Sequence, residues 1–169
     1  MKVLESERLR LRGLTLDDAP FVLKLLNEPS WLRFIGDRGI RTLEGAQGYI
    51  RDVPLASYAR HGFGLLAVEL KADGAALGMC GLLKRDTLED VDIGFAFFPE
   101  HWGRGYAKEA AAAVLAHART TLGLQRIAAI VDPTNASSVK LLERLGFQYE
   151  RPIRMSPEAA EISLYLSRG

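Results

Sequence analysis

Hydrophobic and polar residues alternate from Arg8 to Arg12 in the sequence Arg-Leu-Arg-Leu-Arg, which is the period of a β-strand with its leucines inward. The three arginines then share the outer face, either solvated or facing an acidic substrate. Thr15-Leu16-Asp17-Asp18 reads as a helix start, with Thr15 as the cap and an acid three residues on. That helix runs to about Leu26, with Val22, Leu25 and Leu26 inward. Residues 29–40 carry Trp31, Leu32, Phe34 and Ile35 and predict a helical turn followed by a loop. Thr42 opens a helical pattern through Ile50, and Pro54 predicts a kink or a new helix reaching Arg60. Residues 63–70 and 77–83 are strands joined around Asp73-Gly74, a hairpin signal.

Residues 90–98 alternate again. Val91, Ile93, Phe95 and Phe97 fall on one face; Asp92, Gly94, Ala96 and Phe98 fall on the other. Pro99 cannot continue a ladder and stops the strand. An alanine-rich helix follows over 106–122, closed by Gly123. A strand over 126–131 ends at Pro133. Asn135 then starts a helix with Val139, Leu142 and Leu145 inward, stopped by Gly146. Residues 147–151 and 162–166 are the last strands, separated by a proline-containing loop. The order β-α-α-β-β-β-α-β-α-β-β predicts a mixed α/β (α+β) fold, a mostly antiparallel twisted sheet flanked by helices. At 169 residues the chain is expected to form a single domain, 1–169.

Composition changes this picture little. Apolar residues make up 48% and charged residues 25%, as in ordinary globular chains, and the net charge of +1 argues against a nucleic-acid or membrane-surface partner. The longest apolar run, residues 110–116, is far too short for a membrane span, and the N-terminus has no signal-peptide core, so a cytoplasmic location is expected. Cys80 is the single cysteine and excludes an internal disulfide; it reads as a buried thiol rather than an acyl-carrying nucleophile.

The candidate chemistry lies between the strand ending at Phe98 and the helix starting at Tyr106. The first N–H groups of a helix have no intrahelical partner, and the dipole is positive there. Gly103 and Gly105 remove side chains from the place those groups face, which makes an anion site suited to a phosphate or pyrophosphate. Glu109, in the first turn, is expected to face away from it. A dinucleotide fingerprint would need glycine where Lys108 stands, although Asp132 at the end of the next strand would suit it. A P-loop would need Gly-Lys-Ser/Thr. A turn using glycine for geometry alone is the remaining reading.

Trp102-Gly103-Arg104-Gly105-Tyr106-Ala107 resembles the acetyl-CoA pyrophosphate loop of the GNAT superfamily of N-acetyltransferases, Gln/Arg-x-x-Gly-x-Gly/Ala, with Trp102 where Gln or Arg is usual. Together with the nearby Glu109, it is similar to the branch containing the ribosomal-protein N-terminal (alanine/serine) acetyltransferases. Asn135-Ala136-Ser137-Ser138 followed by Leu145-Gly146-Phe147 resembles a second motif of that branch. The resemblance implies acetyl-CoA as cosubstrate, no metal, and a primary-amine acceptor, either a protein N-terminus or a small molecule such as an amino acid, polyamine or antibiotic. It implies a monomer or homodimer. A non-catalytic acyl-CoA sensor or scaffold is the alternative.

The resemblance also implies roles for individual residues. Backbone groups of Gly103, Arg104, Gly105, Tyr106 and Ala107 hold the pyrophosphate, beside Trp102. Those of Phe97 and Phe98 meet the pantetheine arm and polarise the thioester. His101, Arg104 and Lys108 add charge, His101 equally being a plain loop residue. Asn135 is expected to bond the pantetheine arm and leave helix capping to Ser137 or water, although Asn is itself a favoured cap. Asp92 stands where many relatives place a catalytic glutamate, or else is a solvated carboxylate beside Glu89 and Asp90. Leu142 replaces the tyrosine acid of many relatives, leaving Ser138 as the substitute. The helical region before the second strand, with Trp31, Arg33, Arg38, Arg41 and Tyr49, is either acceptor-binding or core and surface. An α-amine with a pKa near 8 is roughly a tenth neutral at pH 7, against below about one part in a thousand for lysine. A weakly placed base therefore suits an α-amine.

Overall fold

The computed structural model describes residues 3–168. Its centre is an eight-stranded sheet in the order β1-β2-β3-β4-β5-β6-β8-β7. The strands are β1 (Leu4–Glu5), β2 (Leu9–Gly13), β3 (Leu65–Leu70), β4 (Ala76–Leu83), β5 (Asp92–Phe97), β6 (Arg126–Val131), β7 (Gln148–Ile153) and β8 (Ile162–Arg168). The helices are α1 (Ala19–Leu26), α2 (Pro29–Phe34), α3 (Leu43–Ile50), α4 (Ala56–His61), α5 (Tyr106–Thr120) and α6 (Ala136–Arg144). Every pairing is antiparallel except β5 with β6. The mixed fold is the one expected, with a short extra strand, β1, and four helices in place of two before β3.

Period-two alternation gives the sheet two different faces. Leu66, Val68, Cys80, Ile93 and Phe97 pack beneath Ala110, Ala111, Val114 and Ala118 of α5. Leu65, Ala67, Met79 and Phe98, alternating with them, pack against Val22, Leu25, Ala46 and Ile50 of α1 and α3. Alanines on α5 let its backbone approach the sheet closely. Trp31 and Tyr49 belong to this second cluster and are core residues.

Local chemistry explains the helix boundaries. Asp18 accepts a hydrogen bond from the Thr15 N–H at 2.8 Å, as a capping acid should, but a 3₁₀ turn at Leu16–Asp18 precedes α1. Asp18 also takes two bonds from Arg12, at 2.8 and 2.9 Å, and Glu69 takes a third at 3.0 Å. Arg12 is therefore a structural cation rather than an open one. Pro54 neither stops the chain nor starts a helix: Arg51–Leu55 widens into a π-helical stretch joining α3 to α4, which accommodates the missing N–H. Among the described residues, no helix is long and apolar enough to cross a membrane.

Candidate active site

The parallel ladder between β5 and β6 consists of one pair, Asp92↔Ala128, with the Ala128 N–H donating to Val91 O at 2.9 Å. Beyond it, β5 pairs with β4 as far as Phe97 and β6 pairs with β8 as far as Val131, but not with each other. The sheet is thus split toward the carboxyl ends of its two central strands. Backbone groups alternate in direction along a strand. Phe98 donates its N–H to Leu77 O on the β4 side at 3.0 Å, so Phe95 and Phe97 turn theirs into the split. The Phe97 carbonyl accepts from the Trp102 indole Nε1 at 2.9 Å, which leaves its N–H for a ligand. Phe98 differs from expectation. Its carbonyl accepts from the His101 N–H at 3.0 Å, and its ring is buried edge-on to Phe21, so it forms the floor rather than a binding edge.

A 3₁₀ turn at Pro99–His101 leads from this split to the glycine loop. Gly103 has φ 76° and Gly105 φ 81°, the left-handed region that costs other residues energy. Gly105 is the cap of α5 and offers no side chain to it, and the first helical bond is from the Glu109 N–H to Gly105 O at 3.1 Å. The N–H groups of Tyr106, Ala107 and Lys108 therefore lack intrahelical partners, at the positive end of a 15-residue helix. Trp102, Gly103, Arg104, Gly105 and Lys108 are all exposed.

Glu109 turns away from the mouth of the loop, and the structure shows what it meets. It accepts from the Ser6 hydroxyl, from the Arg8 N–H at 2.8 Å and from Arg8 Nε at 2.8 Å. Burial pushes its carboxyl up, but these hydrogen bonds outweigh that and hold it below the usual carboxylate range. The ion pair is complete at neutral pH and is lost only as pH falls through that lowered value.

Across the split, Asn135 Oδ1 accepts from the Ser138 N–H at 3.4 Å and caps α6. This corrects the expectation that capping would pass to Ser137 or water; the Asn135 amide N–H groups and the second lone pair of Oδ1 take no part in the cap and can meet a ligand. Ser138, in the first turn of α6, is half-buried. Leu142 packs in the core at 1% exposure. Asp132 bonds the Thr134 N–H at 2.8 Å and hydroxyl at 2.7 Å, so its carboxylate closes a local turn.

Asp92 sits where the two strands part. Its side chain has 0% exposure, which overturns the picture of a solvated carboxylate at a strand start. Arg85 Nε lies 3.1 and 3.3 Å from its two oxygens. Burial pushes the Asp92 carboxyl up, against the opposing pull of Arg85 and its hydrogen bond. Burial also pushes the Tyr49 phenol up, against the pull of Arg38 and Arg85. Sequence reasoning missed Arg85, although the Leu83↔Asp92 register brings the residues just past β4 beside Asp92. Arg38 lies over the Tyr49 ring at 5.1 Å, and Arg41 pairs with Asp37 at 2.7 Å. Cys80 is fully buried, and burial pushes its thiol up, as in an inert core thiol.

Comparison with known proteins identifies the fold and the family. An uncharacterised N-acetyltransferase, p20, of Bacillus licheniformis is 30% identical over 158 residues, covering 91% of this chain and 86% of its own. The crystal structure of an acetyltransferase from Agrobacterium tumefaciens strain C58 superposes with a TM-score of 0.84 at 28% identity, over 100% of this chain and 95% of that one. RimL, a ribosomal L7/L12 alpha-N-protein acetyltransferase solved in complex with coenzyme A, shares the fold at a TM-score of 0.85 and 15% identity, over 99% and 98% of the two chains. Residues 8–148 match the acetyltransferase (GNAT) domain, and the chain is a member of the GNAT acetyltransferase family, an acyltransferase by descent.

Proposed function

We propose that this enzyme binds acetyl-CoA in the split between β5 and β6 and passes the acetyl group directly to a primary amine, preferring an α-amine. The observation that carries the reading is the single-pair β5–β6 ladder, which opens onto the uncapped N-terminus of α5. An extended amide chain can satisfy the unpaired strand edges, and a pyrophosphate suits the free N–H groups at the loop. In this reading the N–H groups of Gly103 to Lys108 hold the pyrophosphate, Trp102 braces the loop, and Arg104 and Lys108 supply charge. The Phe97 N–H and the Asn135 amide grip the pantetheine arm. The acceptor enters from the side of α2 and α3, toward Tyr49 and Arg85. RimL acts on a protein α-amine by its name, which supports the same acceptor class here.

The amine nitrogen attacks the thioester carbonyl carbon. A C–N bond forms, the C–S bond breaks, and its electron pair leaves on sulfur. The amine proton passes to Asp92 through a water; the carboxylate has no accessible surface in the free protein, so this relay requires the split to open when donor and acceptor bind. The carboxylate's raised affinity for a proton suits that task. Ser138 passes its hydroxyl proton to the departing thiolate and takes one back from solvent, while Asp92 returns its proton to solvent, so the products are the amide and the CoA thiol. The test is thiol release from acetyl-CoA with an amine panel that includes a free-N-terminus peptide without lysine and an N-blocked peptide with one lysine. Release with the first and far less with the second is expected. Thiol release with neither peptide nor any small amine would favour a sensor instead.

A further inference from the structure

The corner between β1 and β2 is joined to the glycine loop by one side chain. Arg8 donates from Nε to Glu109 at 2.8 Å and from Nη1 to the Arg104 carbonyl at 3.0 Å, while its guanidinium carbon lies 4.5 Å over the Tyr106 ring. Its Nη2 stands 3.3 Å from where a Cβ on Gly105 would be. The corner itself is anchored. Arg8 O accepts from the Lys71 N–H at 2.9 Å, Leu9 O accepts from the Ser6 N–H at 3.0 Å, and the Ser6 hydroxyl bonds Glu109.

A peptide unit is planar and trans, so its carbonyl and its N–H point in opposite directions. Drawing the Arg104 carbonyl toward Arg8 directs the Gly105 N–H the other way. The same bond removes a carbonyl dipole that would otherwise compete with an anion at the loop. Arg8 also neutralises Glu109, whose charge one turn into α5 would repel that anion. A guanidinium does these things together because it presents its donors in a fixed planar fork; an ammonium offers a single point.

We infer that Arg8 and Glu109 are positioning residues for the donor: a latch that orients the 104–105 peptide so that the loop receives the pyrophosphate. The inference rests on the acetyl-CoA reading above and adds that the grip depends on residues about a hundred positions apart in the chain. The latch acts on the pyrophosphate half of the donor and not on the thioester half.

The test compares kcat/KM for acetyl-CoA with that for S-acetyl-pantetheine, which lacks the pyrophosphate, at a fixed concentration of the best acceptor in the amine panel. Arg8→Ala should lose on the order of 10-fold to 100-fold with acetyl-CoA, the worth of one charge-assisted hydrogen bond, and nothing with acetyl-pantetheine. Arg8→Lys should recover little of that loss. Glu109→Gln should show a smaller loss in the same donor-selective direction, because freeing Arg8 is partly offset by removing a negative charge near the anion, and it carries the test if Arg8→Ala does not melt cooperatively. An equal loss with both donors would make the latch merely structural and overturn the inference. Full rescue by Arg8→Lys would reduce it to charge and overturn the positioning role. A wild-type enzyme that uses both donors equally well would instead refute the anion site, and the latch with it.

Discussion

Replacing Gly105 by valine tests the loop with a magnitude that follows from its geometry. Gly105 has φ 81°, a conformation that costs an ordinary L-residue about 1–2 kcal/mol, and a β-branched one is a genuine outlier there. Its new Cβ would also stand 3.3 Å from Arg8 Nη2. The loop relieves both by rotating the flanking peptides, which turns N–H groups away from the ligand. Losing two hydrogen bonds to a charged group at about 1.5–3 kcal/mol each gives about 3–6 kcal/mol, or roughly a hundredfold to ten-thousandfold in CoA affinity. Gly123→Val is the control. Gly123 has φ 69° with nothing within 4 Å of its missing Cβ, so it carries the same strain at the other end of α5. Calorimetric titration with CoA, alongside thermal melts, should show both variants folded and only Gly105→Val weakened. Unchanged affinity in a folded Gly105→Val protein, or an equal loss in Gly123→Val, would refute the anion-site argument.

Two further outcomes follow from the same geometry. Asp92→Asn keeps the shape and removes the base, so the ratio of wild-type to mutant kcat/KM should be largest at pH 6 and shrink toward pH 9, where an α-amine of pKa near 8 is already mostly neutral; a flat ratio removes Asp92 as a base. Ser138→Ala leaves the α6 cap intact, because Asn135 accepts from the Ser138 backbone and not from its hydroxyl; kcat should fall by about 10-fold to 100-fold with CoA affinity unchanged, and an unaltered rate with chemistry limiting leaves Ser138 as a helix residue only.

The legible parts of this protein are those written in local periods. Alternation along β5 separated Ile93 and Phe97 from Ala96 and Phe98, and the two sets meet different helices across the sheet. Gly103 and Gly105 marked the loop as a place without side chains, and the structure adds that both adopt the left-handed region. The segment before β3 was harder to read, because Trp31 and Tyr49 are buried without a clean helical period and Pro54 is absorbed in a π-helical stretch. The insertion of β8 between β6 and β7 leaves no local mark, since pairing partners are chosen at long range. The site divides the same way. The loop is a contiguous motif, whereas the Arg8–Glu109 pair spans most of the chain and the burial of Asp92 depends on elements far from it. Asn135 was expected to leave capping to Ser137 or water, and the structure uses it as the cap.

The central claim is that one donor molecule runs from the split between β5 and β6 to the N-terminus of α5. Backbone amide chemical shifts followed by NMR during titration with CoA test it directly. The amides of Gly103 through Lys108 should move together with those of Phe95 and Phe97, while those at the start of α3, including the Thr42-capped Gly45, stay in place. Shifts confined to other elements, or none at saturating CoA, would contradict it.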